Sequence, residues 1–140
     1  MIKRKRTTKL TAAKVQVEFN AMIRRRDNRC MVNEGSCNNT TFQASHYFPV
    51  GGNGGLRFYP YNCFCQCAKH HNMHHHGNTD MYPEWMRTHC PEELEWMKSV
   101  CGRPVRYTQE VLREILAACK DDDCEKVRRI VRGLYVAESR

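Results

Sequence analysis

The residue pattern predicts an α+β domain: a short strand, a glycine-rich loop, a second strand and a short helix at the centre, with amphipathic helices on either side. Three observations carry this. Residues 40–49 and 56–61 are rich in strand-forming side chains, residues 50–55 between them hold four glycines, and apolar side chains recur at helical spacing before and after this block.

Residues 1–10 read as a disordered basic arm. Over residues 11–26, Val15, Phe19, Met22 and Ile23 fall on one helical face. Thr11 is placed to cap that helix, and Arg24, Arg25 and Arg26 suit the negative end of its dipole. Residues 27–40 are loop-like, with a cysteine on each side. The first strand, 40–49, ends at Pro49, and the glycines that follow demand a turn. The second strand, 56–61, is confined by Pro60 to an edge or an end. A helix is expected to begin near Cys65, carry the histidines and stop at Gly77-Asn78.

Downstream, Pro83 and Pro91 stand where first helical residues are expected, and Glu92 and Glu93 fill an acidic first turn. Trp85, Met86, Leu94 and Met97 are then core positions. Thr108 caps a helix carrying Val111, Leu112, Ile115 and Leu116. Asp121, Asp122 and Asp123 precede a last helix with Val127, Ile130, Val131 and Leu134. There is no internal repeat. The expected organisation is a basic arm (1–10), a zinc-stapled domain (11–99) and a C-terminal helical extension (100–140).

At 140 residues with 41% apolar content, the chain can bury one modest core that a bound metal would staple. Its nine cysteines are an odd number. No apolar run follows the basic N-terminus, since Lys9 and Lys14 interrupt it, so no secretory leader is read. No segment is apolar enough to cross a membrane. The expectation is a cytoplasmic protein with reduced thiols and no membrane partner. The net charge is +8, and residues 1–29 hold ten Lys or Arg against Glu18 and Asp27, leaving thirteen of each sign in the remainder. All the excess positive charge therefore precedes the first cysteine. Such an arm, with Lys3, Arg4, Lys5, Arg6 and the helix-end arginines 24 to 26, is an electrostatic footprint for phosphates.

Metal chemistry is the strongest local signal. Five of the seven histidines lie within residues 70–76, directly after Cys63, Cys65 and Cys67. Cys67 and His70 have two-residue spacing, and Cys30 and Cys37 are their expected complement in a closed Cys3His zinc tetrahedron. Cys63 and Cys65 compete for the second pair; otherwise they are small buried thiols at a strand end. His71 and His75, four apart, share a helix face and suit one divalent ion, with His74 as substitute. His76 and His89 are read as surface histidines. His46, on the first strand, is placed to deprotonate water for attack on a phosphodiester. Asn62 can hold the loop through side-chain to backbone hydrogen bonds.

A His on the first strand, an Asn after the glycine loop and a His on the helix resemble the HNH, or ββα-metal, nucleases. The chain is more closely similar to the phage NinG (Rap) recombination endonucleases, relatives of the endonuclease VII group. The matching stretches are Phe19-Asn20-Ala21-Met22-Ile23-Arg24-Arg25-Arg26-Asp27, Cys30, Cys37 and Ala44-Ser45-His46-Tyr47-Phe48-Pro49-Val50-Gly51. Leu56-Arg57-Phe58, Asn62, Gln66-Cys67 and Gly77-Asn78 follow in the expected order, within residues 15–98. The resemblance implies two strands and a helix holding a catalytic Mg2+ or other divalent ion beside a structural zinc. It also implies metal-dependent DNA cleavage, at branched recombination intermediates. By position, His46 is the general base, His71 a catalytic-metal ligand and Asn62 the loop-orienting residue, with Cys30, Cys37, Cys67 and His70 on zinc. Ser45 stands where many HNH proteins place a metal-binding Asp, so either His75 or His74 is the second ligand or the metal is held loosely.

The leading expectation is therefore an HNH-type DNA endonuclease, in the host-cell cytoplasm if phage-encoded, with Arg57 contacting the phosphate backbone. The alternative is a non-catalytic zinc-containing DNA-binding or adaptor protein, in which His46 and His71 are incidental. A metal-storage role is disfavoured by the charged arm. Resolving a symmetric junction would favour a homodimer joined through the C-terminal helices, though a monomer is equally compatible with the sequence.

Overall fold

A computed structural model describes residues 8–32, 37, 41–75 and 81–138, with backbone only for His75 and Glu138. Lys3, Arg4, Lys5, Arg6, His76 and Gly77-Asn78 lie outside the described residues. The chain runs α1 (Ala12–Asp27), β1 (Phe42–His46), two short 3-10 turns (Gly54–Leu56 and Pro60–Asn62), β2 (Cys63–Cys67), α2 (Ala68–His75), α3 (Met81–His89), α4 (Pro91–Val100), α5 (Gln109–Lys120) and α6 (Cys124–Glu138). This is an α+β arrangement around a two-stranded antiparallel sheet.

The amphipathic pattern of α1 places Val15, Phe19, Met22 and Ile23 in the core, each stabilising the fold by roughly 2 kcal/mol. Thr11 Oγ1 caps the helix by accepting from the Lys14 amide. Asn28, in the left-handed region at φ 50°, ends it, with its amide returned to the Arg24 carbonyl. Thr108 caps α5 through the Val111 amide, and the Asp123 carboxylate accepts from the Lys126 amide at the start of α6. Pro91 opens α4 as expected. Pro83 does not open α3; it is the third residue, still within the first turn, where no intrahelical N–H partner is needed.

The second strand differs from its expected position. Residues 56–61 form no strand, although Leu56, Phe58 and Tyr59 are buried. Successive amides at Leu56, Tyr59 and Asn62 bond to carbonyls three residues back, at 2.9, 3.0 and 2.9 Å. Pro60 has no amide to give a ladder, and these turns bury the apolar run without one. The strand is instead Cys63–Cys67, so the helix starts at Ala68 and not near Cys65. Every β2 side chain is buried because the strand is central. β1 pairs with one edge, in the register Phe42↔Cys67 to His46↔Cys63. On the other edge, the Cys65 amide donates to Asp27 Oδ2 at 2.9 Å and the Cys65 carbonyl accepts from the Met31 amide at 2.8 Å. A strand covered on both faces loses the polar alternation that would have marked it.

Strand alternation puts Phe42, Ala44, His46 and the three β2 cysteines on one face. That face meets α1, with Cys65 Sγ 3.7 Å from the Ile23 carbonyl and the Phe19 ring 6.2 Å from His46. The opposite face carries Phe64, edge-on to Trp85 at 4.7 Å. Trp85 is half-buried, whereas Met86, Leu94 and Met97 are fully in the core. Residues of α5 and α6, among them Ile115, Val127, Val131 and Tyr135, belong to the same hydrophobic cluster as α1 and β2.

Candidate functional site

Four metal-binding side chains converge where α1, β2 and α2 meet. Cys30 follows the end of α1, Cys37 lies in the next loop, Cys67 ends β2 and His70 is in the first turn of α2. Their ligand atoms all lie within 4.8 Å of one another. His70 Nδ1 is 3.5 Å from Cys30 Sγ, 3.3 Å from Cys37 Sγ and 3.1 Å from Cys67 Sγ. A tetrahedral zinc with its usual bond lengths puts sulfur and nitrogen about 3.6 Å apart, so the donor set and its spacing fit that ion. Burial works against a Cys67 thiolate, but hydrogen bonds from the His70 amide and ring and from Cys30 and Cys37 bring its pKa down to about 7. Cys37 is pushed up to about 12 by burial and by Cys30 and Cys67. Cys63 and Cys65, the competing cysteines, are buried β2 side chains outside this group. All nine cysteines are free thiols.

His46 ends β1. Its Nε2 lies 3.0 Å from the Arg57 carbonyl. A carbonyl only accepts, so this nitrogen carries a proton, and whenever the ring is neutral its lone pair is on Nδ1. Nδ1 is 3.9 Å from Cys63 Sγ. Burial, the largest influence, pushes the Cys63 thiol well above its ordinary pKa, so it adds no thiolate charge beside the imidazole.

Asn62 is fully buried and closes the segment between the strands. Its Oδ1 accepts from the Phe48 amide at 2.8 Å, and its Nδ2 donates to the carbonyls of Phe48 at 3.1 Å and Leu56 at 3.2 Å. Its own carbonyl accepts from the Tyr47 amide at 2.8 Å. The chain leaving β1 is thereby tied to the chain entering β2, directly beside His46.

Helix α2 packs against both strands. His74 Nε2 sits 3.1 Å from the Tyr47 carbonyl, and its ring stacks on Tyr47 at 5.7 Å and meets Tyr82 at 4.8 Å. The later part of α2 therefore arrives at the β1 end that carries His46. In this position His74 Nε2 is a donor, not a metal ligand. His71 and His75 share one face of α2 by their spacing; the His75 side chain lies outside the described atoms. Ser45 is buried in β1, and its carbonyl accepts from Tyr82 Oη at 2.7 Å. Among the described residues, the Cys3His group is the single cluster of three or more metal-binding side chains.

The basic residues divide. Arg26 reaches inward, donating to the carbonyls of Pro60 at 2.9 Å and Cys63 at 2.7 Å, pairing with Asp27 and lying 4.6 Å over the Phe64 ring. Arg25 binds Asp122 at 2.7 Å and the Cys119 carbonyl. Arg24 is exposed. Arg57 gives its Nε to Gln16 Oε1 at 2.9 Å. Sequence reasoning missed Gln16 and Asp27. Helical spacing places Gln16 beside the Val15–Phe19 stripe, but a single sequence carries no signal of the strand residue it faces.

No helix among the described residues is long and apolar enough to cross a membrane. The family profile described as bacteriophage Lambda NinG protein matches residues 2–129 of the chain. No curated protein and no solved structure matches it.

Proposed function

The chain belongs to the bacteriophage lambda NinG family, phage proteins related to recombination, and from that premise we propose that it is a metal-dependent DNA endonuclease of the HNH, or ββα-metal, type. The observation that carries this reading is the state of His46. The Arg57 carbonyl accepts from Nε2–H, which puts the lone pair of the neutral ring on Nδ1, 3.9 Å from the Cys63 thiol; in this reading an incoming water takes the place of that thiol and gives its proton to Nδ1. Two features support it. The order strand, loop, strand, helix brings α2 back to the His46 end of the sheet, and Asn62 rigidifies the intervening segment.

In this mechanism water loses a proton to His46 Nδ1 and its oxygen attacks the phosphorus of the DNA backbone. The leaving oxygen departs from the opposite side, and Arg57 contacts the phosphate. A divalent cation at His71, with His75 on the same helix face, would stabilise charge on the leaving oxygen. The described side chains alone do not make a three-ligand site for that ion. The basic arm and Arg24 would supply sequence-independent attraction to DNA. Zinc at the Cys3His cluster would be closed to substrate and would only brace the fold.

The test incubates purified protein with supercoiled and branched DNA, with and without Mg2+ or Mn2+. We expect metal-dependent cleavage by the wild type and a loss of at least about a hundredfold in His46→Ala. Equal cutting by both proteins, or cutting by neither under any metal, defeats the nuclease reading. A non-catalytic zinc-containing DNA-binding protein is the second reading, favoured by the Cys3His group being the one metal cluster among the described residues. It predicts salt-sensitive DNA binding without cleavage in the same samples.

A further inference from the structure

Gln16, on the inner side of α1, touches three residues, Asn20 of the same helix and His46 and Arg57 from distant parts of the chain. Its Oε1 accepts from Arg57 Nε at 2.9 Å. Its Nε2 lies 3.2 Å from the Arg57 carbonyl, 3.0 Å from Asn20 Oδ1 and 3.4 Å from His46 Nε2. The chemistry of the partners fixes which way the amide points. Arginine Nε is only a donor and a carbonyl is only an acceptor, so Oε1 must face the former and the NH2 group the latter.

The two Gln16 protons are accounted for by Asn20 Oδ1 and the Arg57 carbonyl. None remains for His46, so the 3.4 Å approach is not a hydrogen bond between them. It is the consequence of two N–H groups, one from Gln16 and one from His46, aimed at the two lone pairs of one carbonyl oxygen. That carbonyl decides which ring nitrogen of His46 holds the proton. Gln16 holds the same residue at two points, its carbonyl and its guanidinium.

We propose that Gln16 is a positioning residue: by clamping Arg57 at both its carbonyl and its Nε, it keeps His46 in the Nε2–H form and aims the Arg57 guanidinium. The proposal rests on the nuclease reading for its catalytic consequence, but not for its effect on His46 itself. Asn20, one turn along α1, completes the device by holding the Gln16 amide in its orientation. Without Gln16 the Arg57 segment keeps its backbone 3-10 bond to Gly54, which at 3.4 Å is long, and the Phe58–Phe19 ring contact, but loses its polar anchor to α1.

The experiment uses the full-length, zinc-loaded protein and two variants, Gln16→Ala and Gln16→Glu. The glutamate keeps the length and can still accept from Arg57 Nε, but it turns an oxygen toward the Arg57 carbonyl and Asn20 Oδ1 in place of donors. Imidazole 15N NMR, with His46 assigned by difference from His46→Ala, reads the tautomer. Cleavage of branched DNA reads kcat and KM separately, while zinc content and Tm report folding. We expect a predominantly Nε2–H His46 in the wild type and a mixed tautomer population in both variants. We also expect kcat to fall at least about tenfold with KM changed less than about threefold. A wild-type tautomer retained in a folded variant overturns the proposal, as does a shifted tautomer with wild-type kcat. A shifted tautomer in a protein whose wild type cuts no DNA under any metal upholds the clamp and defeats the nuclease reading. Should Gln16→Ala lose its zinc or its folded state, Gln16→Glu alone decides.

Discussion

Glu93 shows how much one side chain can organise. It sits in the first turn of α4, where an acid complements the helix dipole. Arg128 from α6 reaches it at 2.7 Å, Arg132 at 2.9 Å, and the Tyr59 hydroxyl donates to it. Burial alone would raise its pKa, but the hydrogen bonds from Tyr59, Arg132 and Arg128 and the Arg132 charge outweigh burial and hold it below the ordinary range. The folded state therefore favours the carboxylate. Its contribution to stability is complete above the unfolded value of about 4.3 and disappears as pH falls through the lower folded value. We expect Glu93→Gln to lower stability at pH 7 and to lose less further stability than the wild type between pH 5 and pH 3. Urea unfolding across that range measures both; parallel pH profiles would remove Glu93 as a source of the acid sensitivity. The acidic first turn was legible in the sequence. Its three partners, from residues 59, 128 and 132, were not, because nothing local relates them.

The Cys3His group gathers side chains from β2 and from segments outside the small sheet. Cys30 and Cys37 follow α1, Cys67 ends β2 and His70 lies in the first turn of α2, so one ion in this group would fix three elements at a single point. Zinc bound only by the folded arrangement contributes its binding free energy to folding. Cys67→Ala is expected to abolish the one tightly held zinc per chain and to lower Tm by on the order of 10 °C or more. His46→Ala should keep that zinc. Metal analysis after dialysis and a thermal melt check both, and equal zinc content in the two variants would refute the ligand assignment. The chelate pair Cys67 and His70 could be read from spacing alone. The position of β2 could not. Its five residues are buried on both faces and so lack alternation, while the neighbouring apolar run 56–61 looks more strand-like and folds as turns.

At the scale of the whole molecule, one hydrophobic cluster runs from Val15 of α1 to Tyr135 of α6. The ends are also tied: the Gln109 amide at the start of α5 exchanges hydrogen bonds of 2.9 and 2.7 Å with the backbone of Leu10. Leu10, two residues before α1, is thereby held against the start of α5. If DNA is the partner, removing residues 1–7, with Lys3, Arg4, Lys5 and Arg6, should make the dependence of log affinity on log salt shallower by about 3 to 4. Fluorescence anisotropy at several salt concentrations measures this; an unchanged slope would show that the arm does not contact phosphates.

The sequence by itself determined the features that depend on near neighbours. The stripe of α1, the Thr11 and Thr108 caps, the proline start of α4, the spaced Cys and His ligands and the bias of positive charge all follow from residues a few positions apart. Tertiary structure decided the rest: that Cys63–Cys67 is the second strand, that Arg26 turns inward, and that Gln16 meets His46 and Arg57. Those outcomes arise from packing β2 between α1 on one side and Phe64's aromatic neighbours on the other. The energy of that burial depends on which distant segments close around the strand, and no short stretch of the chain contains it.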